Sequence, residues 1–88
     1  MLPIKWNEDK NTLLKKTRNV SFEDVMEVIA NNEIIDITEH PNQERYPNQK
    51  VFVLNIRGYI HYVPFVEDEE KIFLKTIIPS RKYNASYK

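Results

Sequence analysis

Eight side chains supply most of the chemistry this chain could perform: Lys10, Arg45, Arg57, Tyr62, Lys75, Arg81, Lys82 and Tyr83. They are cations and phenols. The two histidines, His40 and His61, stand far apart and match no metal-ligand spacing. There is no cysteine, and a single glycine rules out a glycine-rich phosphate loop. Acidic pairs occur in EDEE, 67–70, and in the second helix, where a solvated surface explains them. Histidine as a residue type suits a general base, but the strand pattern turns His61 toward the core beside Thr76, as a satisfied core histidine. Cations and phenols without metal ligands suit one reaction class. RNA cleaves when its own 2′-hydroxyl attacks the adjacent phosphate. A protein then has only to orient the nucleotide, hold the phosphate and stabilise the added charge. Arginine does so with a two-pronged fork, and tyrosine stacks a base or passes a proton.

The spacing of the remaining residues predicts the elements that position this set. Ile4 to Trp6 reads as a short edge strand. Asn7 is an N-cap, with Glu8 and Asp9 in the first turn and a helix running to about Arg18. Asn19 is the left-handed residue that ends it. At 100° per residue Lys10 falls on the apolar face with Leu13 and Leu14, as a snorkelling lysine or an ammonium aimed inward. Ser21 caps a second helix over 22 to about 31, with Phe22, Val25, Met26, Ile29 and Ala30 on one face. Strands follow at Ile34 to Thr38, Lys50 to Ile56, Tyr59 to Val66 and Lys71 to Ile78, with a proline- and amide-rich loop at 40–49. Arg57-Gly58 and EDEE are the hairpin turns.

Regular turns put Leu54 opposite His61, Phe65 opposite Ile72 and His61 opposite Thr76. One face is then Phe52, Leu54, Ile56, Val63, Phe65, Ile72, Leu74 and Ile78, packed on the helices. The other is an open, mixed face of Val53, Asn55, Arg57, Ile60, Tyr62, Phe73, Lys75 and Ile77, suited to RNA or a partner. Pro64 breaks a ladder bond and implies a bulge. Pro79 ends the last strand and sends Arg81 and Lys82 out on a basic arm, 80–88.

Eighty-eight residues make one domain, 1–88, with one modest core. The absence of cysteine fits a reducing compartment. No stretch reaches the roughly 20 apolar residues of a membrane span, so the chain reads as cytoplasmic. Net charge is zero but unevenly laid out: residues 21–44 carry seven acidic and no basic side chains, whereas 1–20 and 75–88 are basic. Such a surface binds an anion at one end and a basic partner at the other.

"IKWNEDKN", "RNVSFEDVMEVI" and "GYIHYVPF…IFLKTIIPSRKY" together resemble the BrnT-type toxins. Members open with a Trp-Asp-x-x-Lys segment, continue with a Val-Ser-Phe-Glu-Glu helix start and close on Ile-x-Ala-Arg-Lys. The resemblance covers most of the chain. It implies an α+β, RelE-like fold, with two N-terminal helices packed on one face of an antiparallel meander sheet. It implies a metal-independent endoribonuclease that needs no cofactor and inhibits translation by cutting mRNA, free or on the ribosome. The implied partner is a cognate DNA-binding antitoxin of the ribbon-helix-helix type. Lys10 matches the lysine of the opening segment, and Arg81 and Lys82 match the closing Arg-Lys. Arg45 is similar to the arginine of a Glu-x-Arg segment, with YPNQ intervening before the strand. Asn7 stands in place of the aspartate, Arg18-Asn19 in place of His-Gly and Ser80 in place of the alanine. These four cations form the expected catalytic set. Tyr62, Lys75, Arg57 and Tyr83 form the expected RNA-binding set. A second reading keeps the fold without catalysis, as a corepressor acting with the antitoxin.

Overall fold

Two short helices precede a sheet, and local signals set their ends. A computed structural model describes residues 2–82. Strand β1, Ile4–Lys5, leads into helix α1, Glu8–Arg18. The Asn7 side chain caps Lys10 N–H, and Asn19 closes the helix in the left-handed region at φ 54°. Helix α2, Phe22–Ala30, starts on a reciprocal capping box between Ser21 and Asp24.

Four more strands complete the main path: β2, Asp36–Glu39; β3, Lys50–Ile56; β4, Tyr59–Glu67; and β5, Ile72–Leu74. The sheet order is β1-β5-β4-β3-β2, antiparallel except for the parallel β1–β5 pair. A sixth strand, β6, Ile78–Pro79, continues beside β4. The fold is thus α+β, with the helices on one face of a mostly antiparallel sheet. Leu14, Val20, Phe22, Val25 and Ile29 meet Phe52, Leu54, Val63, Phe65, Leu74 and Ile77 in the core. Phe52 and Phe65 stack at 4.0 Å, and Trp6 stacks on Phe22 at 5.6 Å. No helix among the described residues is long and apolar enough to cross a membrane.

The β3–β4 register and its Arg57-Gly58 turn match the sequence expectation, with Leu54 opposite His61. The last strand does not. Phe65 pairs with Leu74 rather than Ile72, because the turn takes in Asp68 to Lys71 and Asp68 Oδ1 accepts from the Glu70 and Lys71 N–H groups. The strand is also interrupted. Lys75 N–H donates to Pro64 O at 2.8 Å, but Pro64 has no N–H to return. Between the Phe65↔Leu74 and Tyr62↔Ile78 pairs, three residues, Lys75, Thr76 and Ile77, lie against only two, Pro64 and Val63. This bulge swaps the faces: Ile77 is fully buried in the core and Ile78 takes the other side. His61 lies opposite Pro79, not Thr76. Nor does Pro79 end the ladder, since the N–H of buried Ser80 donates to Ile60 O at 3.1 Å.

Two expected faces are corrected. Leu13 is 50% exposed, and α1 turns Leu14 and Asn11 inward instead. The reason is polar: buried Asn11 accepts from Phe22 N–H at 2.8 Å and donates to Glu23 Oε1 at 2.8 Å and Glu8 Oε1 at 3.1 Å. The second sheet face is not an open groove. Cross-strand pairing gathers Val51, Val53 and Ile60 into a buried cluster with half-buried Tyr62 and leaves Asn55 and Lys75 exposed outside it.

Candidate nucleic-acid interface

Lys10 and Lys75, remote in sequence, share one open groove. β1 pairs Ile4 with Ile72 and Lys5 with Phe73, then stops. The edge of β5 past Phe73 is left without a β1 partner, and the first turns of α1 face it. Asn7, Asp9, Lys10, Leu13, Phe73 and Lys75 line the resulting groove of about 610 Å³. The Lys75 ammonium lies 5.5 Å from the Phe73 ring centroid, within cation–π range. Two ammonium groups, an aromatic ring and one carboxylate are therefore gathered where solvent reaches them. Such a set can hold a phosphate, stack a base and accept a proton. Asp9, Leu13 and Phe73 were not legible as site residues. Asp9 is explained by the helix dipole alone, and the sequence pattern puts Phe73 on the mixed sheet face without singling it out as a site residue.

The other expected residues lie elsewhere. Arg81 and Lys82 are exposed on helical backbone just after Ser80, at the end of the sheet that carries the Arg57-Gly58 turn. Arg57 itself turns toward the helices. It donates to Asn19 O and pairs with Asp24 at 3.1 Å, while staying half exposed. Arg45 sits in the 40–49 loop, exposed, with its guanidinium 5.5 Å from the Tyr46 ring centroid. That loop joins β2 to β3 at the opposite end of the sheet, about 20 Å from Arg57 along seven-residue β3. Tyr62 lies half-buried beside the second-face cluster. Tyr83 lies outside the described residues.

His61 is buried, as expected of a core histidine, at 7% exposure. Its Nδ1 lies 2.9 Å from Tyr59 O, and a carbonyl can only accept, so Nδ1 carries the hydrogen. Burial holds its pKa below the usual 6.5, with Arg57 and Arg18 adding repulsion against the Tyr59 bond and Asp24. Arg18 was not expected to act in the fold, yet it reaches across to donate to Ile77 O at 2.6 Å. The Asn11 amide holds the Glu23 carboxyl below its usual range. Among the described residues no three His, Asp or Glu side chains gather into a metal-binding set.

No family model matches the chain, and no curated protein or solved structure matches it significantly.

Proposed function

We propose that this chain is the toxin of a type II toxin–antitoxin pair, a metal-independent endoribonuclease that inhibits translation until a ribbon-helix-helix antitoxin silences it. The observation that supports this reading is the meeting of Lys10, Lys75, Phe73 and Asp9 in one open groove. In this scheme a single-stranded nucleotide stacks on Phe73, and Lys10 and Lys75 hold its 3′-phosphate. Asp9 takes the proton of the attacking 2′-hydroxyl, whose oxygen bonds to phosphorus as the bond to the 5′-oxygen breaks; the departing oxygen takes a proton from solvent water, leaving a 2′,3′-cyclic phosphate and a free 5′-hydroxyl. Arg81 and Lys82 hold flanking phosphates, with Tyr62 and Tyr83 as base contacts.

The test is induction without antitoxin, together with cleavage of single-stranded RNA in chelator. Growth arrest and cyclic-phosphate ends are expected. The Lys10→Ala, Lys75→Ala double variant should lose about 10²–10³-fold in rate, as when a charge-stabilising group is removed. A second reading, a non-catalytic corepressor, draws support from the wide separation of Arg45 and Arg57 and from the zero net charge. Normal growth and intact RNA with folded protein, alongside tighter operator binding by the antitoxin when the chain is added, would establish that reading instead.

A further inference from the structure

The two segments that border the Lys10–Lys75 groove are cationic along their length. Residues 10–20 carry Lys10, Lys15, Lys16 and Arg18, residues 71–82 carry Lys71, Lys75, Arg81 and Lys82, and neither segment contains a carboxylate. Lys15 turns away to Glu23, and Lys71 to Asp68. The fold lays the others along one seam. The first half of α1 faces Phe73 and Lys75 across the groove, and Arg18 at its end reaches Ile77 O at 2.6 Å. Helix and strand segment therefore run side by side in the same direction. Their basic residues reinforce one another although the whole chain is neutral.

Arg18 lies about 12 Å beyond Lys10 along the helix axis. Lys16 and Thr17 follow groove-lining Leu13 at the i+3 and i+4 positions, so they stand on the same flank one turn further on. Lys16, Thr17 and Arg18 are all exposed. A guanidinium carries more N–H donors than the bond to Ile77 O uses. Past Ile77 the chain pairs with β4 through Pro79 and Ser80, then presents exposed Arg81 and Lys82. Cations thus succeed one another from the groove to the hairpin end of the sheet, with Leu13 and the Phe73 ring beside them at the start.

A line of cations that opens on an aromatic ring suits a nucleic acid strand whose bases are unpaired, because a duplex hides its base faces from such a ring. We propose that this seam binds a single-stranded RNA substrate several nucleotides long, with one nucleotide in the groove and the adjoining phosphates led past Lys16 and Arg18 to Arg81 and Lys82. The proposal rests on the ribonuclease reading of the groove. It adds the length and strandedness of the substrate and a phosphate-holding role for Lys16 and Arg18.

The test is fluorescence anisotropy of the full chain with 2′-O-methyl RNA probes, which lack the attacking hydroxyl and stay intact. A probe of about ten nucleotides should bind about tenfold or more tighter than a dinucleotide, and pairing it with its complement should weaken it. Lys16→Gln with Arg18→Gln should remove most of the gain from length. Arg18→Lys, which keeps the charge, should retain more of it than Arg18→Gln. Circular dichroism checks the fold, because Arg18 also bonds Ile77 O. Arg81→Gln with Lys82→Gln, at exposed positions, gives an independent reading: its loss should set in at a greater probe length than that of the Lys16 and Arg18 variant. Equal affinity for dinucleotide and long probe, duplex binding as tight as single-strand binding, or unchanged length dependence in both double variants would overturn the proposal. Cleavage of an unmodified dinucleotide would then leave the ribonuclease reading standing. A gain with length that both double variants lose, with no unmodified RNA cleaved, would instead overturn the ribonuclease reading and keep the seam as a single-strand track.

Discussion

The amide of Asn11 ties the first turn of α1 to the start of α2. It accepts from Phe22 N–H, one of the orphan donors of α2, and donates to Glu8 and Glu23. Asn11→Ala leaves that donor buried without a partner, which costs about 1–3 kcal/mol. Urea unfolding should show a lower midpoint at unchanged slope, and a loss under about 0.5 kcal/mol would remove Asn11 from this role. Asn11→Asp retains the acceptor but crowds a third carboxylate between Glu8 and Glu23, so it should recover stability as pH falls. His61 sets a different pH dependence. Its pKa is lowered in the folded protein, chiefly by burial, so the unfolded chain takes up the proton first. The stability it supports is complete above about pH 6.5 and declines as pH falls below that value. His61→Gln should flatten this part of the pH–stability curve. An unchanged curve would mean that His61 titrates equally in both states.

At the scale of elements, the bulge opposite Pro64 decides which of two adjacent isoleucines enters the core. Ile77→Ala should cost about 2–5 kcal/mol, as for a buried isoleucine, and Ile78→Ala distinctly less. A regular strand would reverse that order in thermal or urea unfolding. The helix boundaries were legible because their signals are local: Asn7, Asn19, and Ser21 with Asp24. β3 and its turn were legible for the same reason. A bulge was legible from Pro64, but its effect on the last strand was not: the expected regular register put Ile78 rather than Ile77 in the core. The rotation of α1 was hidden too. Its apolar residues are few, and a polar side chain, Asn11, determines which face turns in.

For the whole molecule, charge placement bounds how RNA could be held. The residue types of the candidate site were legible in the sequence, but their grouping was not. Lys10 and Lys75 meet only because a two-residue parallel strand docks β1 on β5, a contact without a local signal. If those two lysines, Arg81 and Lys82 are the main phosphate contacts, affinity for single-stranded RNA should fall with salt at a log–log slope of about −3. Lys75→Ala should make that slope shallower by about 0.7 in fluorescence anisotropy. An unaltered slope would take Lys75 off the RNA path. The hairpin turn carries a further consequence, for folding kinetics. Arg57 occupies the left-handed region at φ 50°, which asparagine enters far more readily than arginine. The turn therefore nucleates poorly by itself, and Arg57 gains its contacts to Asn19 and Asp24 only after the helices have docked. Hairpin closure is thus deferred until the two halves of the chain meet. Arg57→Asn should reverse that order, closing the hairpin early and accelerating refolding in stopped-flow. Its unfolding should also be faster, because the clasp that held the helices to the hairpin is gone.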